Sequence, residues 1–171
     1  KTLNYTYDTL NRLTQINEAT QTIASYSYDS LSSITQRNLR NGIFTTYSYD
    51  NYSQLLELIN SRSTSEVISS FVYTYDAVGN RRTMTTLAVV TQYSYDAINQ
   101  LISVTLPNSS TTTYNLDAAG NRNSVINSTG TKAYTTNNLN QYTNVDTDNY
   151  TYDANGNMTS KTTSAGTTTY S

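Results

Sequence analysis

The stretch Tyr73-Thr74-Tyr75-Asp76-Ala77-Val78-Gly79-Asn80 is the clearest copy of a phrase that recurs along the whole chain. The phrase is tyrosine, a small polar residue, tyrosine and aspartate, and intact copies end at Asp8, Asp29, Asp50, Asp76, Asp96 and Asp153. Degenerate copies occupy residues 114–117 and 134–137. Successive copies lie 21, 21, 26, 20, 21, 20 and 16 residues apart. Self-similarity at a nearly fixed period is the signature of a repeat protein.

Each copy of the phrase predicts a β-hairpin. Alternation along an extended strand places the two tyrosines on one face and the small polar residue on the other. An aspartate that accepts hydrogen bonds from the backbone ahead of it, followed three residues later by glycine or asparagine in six of the eight copies, favours a type I turn with a bulge. The predicted structural repeat motif comprises Tyr5, Tyr7, Asp8, Tyr26, Tyr28, Asp29, Tyr47, Tyr49, Asp50, Tyr73, Tyr75, Asp76, Gly79, Tyr93, Tyr95, Asp96, Tyr114, Asp117, Gly120, Tyr134, Tyr150, Tyr152, Asp153 and Gly156.

The residues after each turn predict a returning strand, rich in threonine and β-branched residues. Leu13 and Ile16 in the first returning strand have opposite parity. Either a bulge separates them or both faces of the sheet are partly covered, and the sequence leaves both alternatives open. No segment predicts a helix. The predicted fold class is therefore all-β, with about eight tandem hairpins in one continuous antiparallel sheet.

Composition excludes several classes of function. The 171 residues include no histidine and no cysteine, which removes thiolate and imidazole chemistry and the usual zinc sites. A net charge of −2 offers no basic surface for nucleic acid. No window approaches the roughly 18 consecutive apolar residues of a membrane span. The sequence therefore predicts no catalytic residue, no metal, no cofactor, no nucleic-acid partner and no membrane span.

Two groups of residues are candidates for binding. The repeated aspartates are explained by turns, which leaves Asp146-Thr147-Asp148 as the one Asp-x-Asp pair, without the further oxygen ligands that calcium needs. Rows of tyrosines could stack on sugar rings. They could equally form cross-strand aromatic ladders that hold neighbouring hairpins together, which is the favoured interpretation.

The phrases Tyr73-Thr74-Tyr75-Asp76-Ala77-Val78-Gly79-Asn80-Arg81 and Tyr152-Asp153-Ala154-Asn155-Gly156-Asn157 resemble the YD repeat of the RHS proteins. The resemblance spans the chain. It implies hairpins lined up in a sheet that spirals into a hollow shell, as in bacterial toxins and the animal teneurins, where the shell encloses a toxin or stands at a cell surface. The family's self-cleaving core with its Asp-Pro-x-Gly stretch has no counterpart, because Leu106 precedes Pro107.

These observations predict that residues 1–171 form a single repeat array and a fragment of a longer chain. The expected function is a non-catalytic structural module in the wall of an extracellular fibre or hollow shell. Two alternatives remain: a section of a toxin-encapsulating cocoon, and a carbohydrate-binding adhesin that uses the tyrosine rows. Expected partners are more of the same chain or other copies at the sheet edges, an enclosed toxin cargo, or surface glycans. The expected location is extracellular or at a bacterial cell surface.

Overall fold

A computed structural model of the protein describes residues 2–62 and 66–170. The described residues form seventeen β-strands and no helix. The strands are β1 (Leu3–Tyr7), β2 (Leu13–Glu18), β3 (Gln21–Tyr28), β4 (Ile34–Leu39), β5 (Ile43–Tyr49), β6 (Leu55–Arg62), β7 (Val67–Tyr75), β8 (Arg81–Thr86), β9 (Val89–Tyr95), β10 (Leu101–Thr105), β11 (Thr111–Leu116), β12 (Arg122–Asn127), β13 (Gly130–Thr136), β14 (Tyr142–Val145), β15 (Asp148–Tyr152), β16 (Met158–Thr163) and β17 (Gly166–Thr169).

The chain divides into two compact units, residues 1–91 and 92–171. In the first unit, β1 to β8 pair one after another in chain order, always antiparallel. In the second unit, β9 to β17 do the same, with β9 beginning just before the boundary. The predicted all-β fold of tandem antiparallel hairpins is confirmed. That both units belong to one array over residues 1–171 stays a prediction.

Each phrase forms the end of one strand and the turn that follows it. In the hairpin of β7 and β8, the backbone N–H of Asp76 donates to the carbonyl of Asn80 (2.9 Å), and that of Gly79 donates to the carbonyl of Asp76 (3.1 Å). The third residue after the aspartate has positive φ in all eight turns, between 58° and 93°. Glycine and asparagine occupy six of these positions because they adopt that conformation readily, and Ser32 and Ser53 occupy the other two.

A β-bulge follows every one of the eight turns. In the first hairpin, Tyr7 lies opposite Leu13 and Tyr5 lies opposite Ile16, so Thr14 is the extra residue. Equivalent register shifts occur in the other seven hairpins. Because directly opposite residues share a face, the bulge returns both apolar side chains to the tyrosine face. The bulge is therefore the correct one of the two alternatives that the sequence left open.

Burial is shallow throughout the described residues. Only Ala24, Thr45 and Ser61 are buried, at 7%, 1% and 4% exposure. Most tyrosines of the phrases are half-buried. The hairpins are stabilised by contacts with their neighbours along the chain rather than by a central core, as in other repeat proteins.

Candidate functional site

The repeated turn is the most regular polar site in the protein. We call the residue that begins each turn the opening residue, and count +2, +3 and +4 from it. One side-chain oxygen of the opening residue accepts hydrogen bonds from the backbone N–H groups at +2 and +4 in all eight turns, at 2.8–3.1 Å. The opening residues are Asp8, Asp29, Asp50, Asp76, Asp96, Asp117, Asn137 and Asp153. The site satisfies backbone donors that the turn would otherwise leave unpaired.

Asparagine at +4 adds a third hydrogen bond to the carboxylate. Asn121 Nδ2 donates to Asp117 Oδ2 and Asn157 Nδ2 donates to Asp153 Oδ2, both at 3.0 Å. These side-chain bonds, together with the backbone N–H groups, hold the pKa of both carboxyls below their ordinary value of 3.8. Hydrogen bonds to the charged form stabilise it, so the folded protein resists protonation here.

Acidification should therefore destabilise the fold through these turns. A carboxyl with a lowered pKa stabilises the folded state fully above its unfolded pKa, and this stabilisation is lost as the pH falls through the folded pKa. We expect the melting temperature of the double variant Asp117→Asn/Asp153→Asn to fall less than that of the parent protein between about pH 5 and about pH 2. Asn137 forms the same two backbone bonds through its amide oxygen, so asparagine keeps the turn. Parallel melting curves for the two proteins would contradict this.

The second tyrosine of the phrase links its hairpin to the preceding one. The hydroxyl of Tyr28 donates to the carbonyl of Leu13 at 2.7 Å, and the hydroxyl of Tyr75 donates to that of Leu55 at 2.7 Å. Tyr49 and Tyr152 make the corresponding bonds, to Ile34 and Tyr142. The acceptor is always the first residue of the preceding returning strand. We call this contact the hydroxyl bridge.

The hydroxyl bridge adds a hydrogen bond where the backbone pairing between two neighbouring strands has ended. Between β2 and β3 the register begins at Gln15 and Ser25, so the carbonyl of Leu13 lies beyond the paired residues. The Tyr28 hydroxyl supplies the donor that the strand pairing does not.

Burial raises the pKa of Tyr49 and Tyr75, because it disfavours the phenolate form.

The seventh hairpin contacts the preceding one through a tyrosine of its other strand. Its phrase has Thr136 where the second tyrosine stands elsewhere, and Tyr142 lies directly opposite Thr136 on the returning strand. The Tyr142 hydroxyl accepts a hydrogen bond from the backbone N–H of Arg122, the first residue of the preceding returning strand, at 3.1 Å. A tyrosine outside the phrase thus contacts the preceding returning strand in place of the missing second tyrosine. The spacing of the phrases in the sequence did not reveal this.

Cations lie over several tyrosine rings of the array. The Arg12 guanidinium is 4.7 Å from the centre of the Tyr28 ring, and that of Arg81 is 5.7 Å from the centre of the Tyr73 ring. Such contacts are attractive and help to cover the aromatic face. The rings are therefore engaged by neighbouring side chains as well as by the hydroxyl bridges.

A polar row crosses four strands of the first unit on the tyrosine face. Arg37 Nη2 donates to Thr45 Oγ1 (3.1 Å), and Thr45 Oγ1 donates to Asn60 Oδ1 (2.7 Å). Asn60 Nδ2 then donates to Ser69 Oγ at 2.9 Å. We call these four residues the polar row. Sequence analysis missed it, because Thr45 and its neighbour Thr46 look alike in an alternating strand, and only the register brings the four together.

A second missed feature is a set of exposed apolar side chains at the tips of the turns. Six of the eight +2 residues are large apolar or aromatic residues, and their exposure runs from 65% at Leu10 to 86% at Tyr52. An open groove of about 660 Å³ lies beside Tyr52 and is also lined by Leu56, Thr74 and Val78. These side chains contribute little to the packing of their own hairpins. Their recurrence at +2 is visible in the sequence as a period of its own.

No group of three or more acidic, histidine or cysteine side chains within the described residues is placed to hold a metal ion. Asp148, of the Asp-x-Asp pair, lies 3.3 Å from Lys161 Nζ in an ion pair. No helix among residues 2–62 and 66–170 has the length and hydropathy needed to cross a membrane.

Comparison with protein families identifies the repeat. The family model described as RHS repeat matches residues 95–132, which include the turn opened by Asp96 and the turn opened by Asp117. The chain contains an RHS repeat. The resemblance expected from the phrase is therefore confirmed. No curated protein matches the chain significantly.

Solved structures share the fold of this RHS-repeat chain. The crystal structure of TcdB2–TccC3 matches with a TM-score of 0.74 and 20% identity over 94% of the chain. The same complex without its hypervariable C-terminal region gives the same values. The Tc holotoxin pore of Photorhabdus luminescens matches with a TM-score of 0.71, again at 20% identity over 94% of the chain. The chain spans only 11% of the length of each of these relatives.

Proposed function

We propose that the chain is a non-catalytic structural module, a section of the wall of a hollow β-sheet shell or fibre made by an extracellular bacterial protein. The observation that carries the proposal is the repetition of one turn eight times, each copy with the same side-chain acceptor and the same positive-φ residue. Catalytic sites are single and asymmetric, whereas a wall needs one contact repeated along its length. On this proposal the motif residues, from Tyr5 and Asp8 to Asp153 and Gly156, are structural.

The comparisons support a wall of the shell type. Residues 95–132 match the RHS repeat, and the chain shares its fold with a segment of the much longer TcdB2–TccC3. The chain spans about a tenth of these proteins. We propose that further hairpins of a comparable parent protein close the wall and that an enclosed toxin cargo occupies the space inside it. The extracellular bacterial location is proposed on the same ground.

The sheet edges support pairing with further hairpins. Tyr5 and Tyr7, on the edge strand β1, are 52% and 57% exposed, whereas the equivalent tyrosines of the inner hairpins are half-buried. An edge strand presents unpaired backbone groups and, here, an uncovered aromatic face. We propose that these edges pair with more of the same chain or with another copy.

The tyrosine geometry favours the wall over a carbohydrate-binding adhesin. A platform for sugars needs free ring faces, but the Arg12 and Arg81 guanidiniums lie over the rings of Tyr28 and Tyr73. The second tyrosines of four inner phrases also use their hydroxyls in bridges between hairpins, as Tyr28 and Tyr75 do.

Electron microscopy of the protein isolated from its source tests the proposal. We expect closed hollow particles or long uniform filaments, either of which is a wall built from hairpins. Compact solid particles would overturn it. So would a hydrolytic or transferase activity that the change Asp153→Asn abolishes, because Asn137 shows that asparagine preserves this turn. Unchanged circular dichroism of the variant would establish that such a loss was chemical.

A further inference from the structure

The +4 side chain of several turns reaches the next turn along the array. Arg12 Nη1 donates to the carbonyl of Asp29 at 2.9 Å and contacts Ser32 Oγ at 3.3 Å. Asn121 Nδ2 donates to Asn140 Oδ1 at 2.9 Å. Ser32 and Asn140 are the +3 residues of the turns that follow.

When the +4 residue is glutamine, its amide occupies the place that a side chain at the next +3 position would fill. A Cβ added to Gly120 would lie 2.7 Å from Gln100 Nε2, and one added to Gly79 would lie 3.0 Å from Gln54 Nε2. A Cβ on Gly156 would lie 3.2 Å from Gln141 Nε2, which also donates to the Gly156 carbonyl at 3.3 Å. A Cβ at these distances would require the flexible glutamine amide to move by a few tenths of an ångström from its place over the turn. Glycine therefore makes room for the amide.

The sequence follows this rule at all seven junctions between successive turns. The three glutamines at +4 precede the three glycines at +3, in the pairs Gln54–Gly79, Gln100–Gly120 and Gln141–Gly156. The four other junctions have neither glutamine nor glycine: Arg12–Ser32, Ser33–Ser53, Asn80–Asn99 and Asn121–Asn140. Three glycines placed independently among seven turns would seldom coincide with three glutamines. Turn geometry alone does not demand glycine, because asparagine and serine adopt positive φ in the other five turns.

We propose that the +4 residue of one turn and the +3 residue of the next form a matched pair that determines which hairpin can follow which. A glutamine is long enough to cover the next turn and keeps its amide in place only where glycine leaves room for it. A shorter asparagine needs a polar side chain at the next +3 position to meet it, as Asn140 meets Asn121. A mismatched junction has either a clash or an unfilled contact. This inference concerns the order of hairpins, and it holds whatever the finished sheet encloses.

A double-mutant cycle at Gln100 and Gly120 tests the pair. The changes are Gln100→Asn and Gly120→Asn, and together they recreate the type of junction seen at Asn121 and Asn140. We expect each single change to raise the unfolding equilibrium constant by about 3- to 10-fold. The double variant should unfold less readily than the product of the single effects by at least about threefold, because residues in contact couple. Urea denaturation of the 171-residue protein measures all four proteins.

The matched control combines Gln100→Asn with Gly156→Asn. These are the same two types of substitution, placed in turns that are not neighbours, so their effects should multiply. A cycle at Gln100 and Gly120 that is as multiplicative as this control would overturn the proposal. If a single variant does not fold, the equivalent cycle at Gln54 and Gly79 decides by the same criterion. Neither outcome bears on whether the protein forms a shell, which electron microscopy reports separately.

Discussion

Replacement of Tyr75 by alanine should lower the free energy of unfolding by about 2–4 kcal/mol, somewhat less than a fully buried aromatic residue would cost. The ring is half-buried and lies opposite Arg81 across the hairpin. Its hydroxyl also bridges to the Leu55 carbonyl of the preceding hairpin at 2.7 Å. The substitution therefore removes packing within one hairpin and the bond to the one before it. Urea denaturation followed by circular dichroism measures the change.

The change Tyr75→Phe separates the hydroxyl bridge from the ring. It keeps the packing and leaves the Leu55 carbonyl without its donor, which should cost about 0.5–1.5 kcal/mol. Tyr7→Phe is the matched control. Tyr7 has the same position in the first phrase, but it is 57% exposed and its hydroxyl forms no hydrogen bond with residues 2–62 or 66–170. Its loss should change stability by less than about 0.5 kcal/mol. Equal effects of the two phenylalanine variants would refute a stabilising role for the bridge.

The hairpins were predictable from the sequence because the turn chemistry is local. An aspartate, two residues and a residue that accepts positive φ specify the loop wherever they occur, and Asp76 to Gly79 and Asp153 to Gly156 fold alike. The strand before the turn alternates cleanly, so its tyrosine face was predictable too. The bulge after the turn was less accessible. The opposite parity of Leu13 and Ile16 indicated an irregularity. A bulge and a sheet partly covered on both faces explained it equally well until the register was known.

Contacts between hairpins could not be predicted in the same way. They depend on which residues of successive repeats lie opposite each other, and the separations vary because both the strands and the connecting loops differ in length. Tyr142 illustrates this, since it replaces a missing phrase tyrosine from the opposite strand. The junction of Gln100 with Gly120 is a second example, because the two residues are 20 positions apart and neither is unusual alone.

The polar row on the tyrosine face leads to the second large effect. Thr45 is 1% exposed, and its hydroxyl both accepts from Arg37 and donates to Asn60. Arg37 Nε is itself buried without a hydrogen-bond partner among the described residues, so this guanidinium has few alternatives. Removing one partner from a buried polar contact leaves the other polar atoms without a hydrogen bond and adds the cost of their desolvation.

The change Thr45→Val should therefore lower the free energy of unfolding by about 2–3 kcal/mol, although valine has nearly the same shape. The loss removes the acceptor of a charged donor and the donor of the Asn60 amide oxygen, and water cannot readily replace either at 1% exposure. Thr46→Val is the matched control, because Thr46 is the next residue of β5 and lies on the other face, opposite Ile59. Valine favours strands, so this control should be neutral or slightly stabilising. If the two valine variants unfold at the same urea concentration, the polar row contributes nothing to stability, and the shallow burial of the sheet must be compensated by the ladders and turns alone.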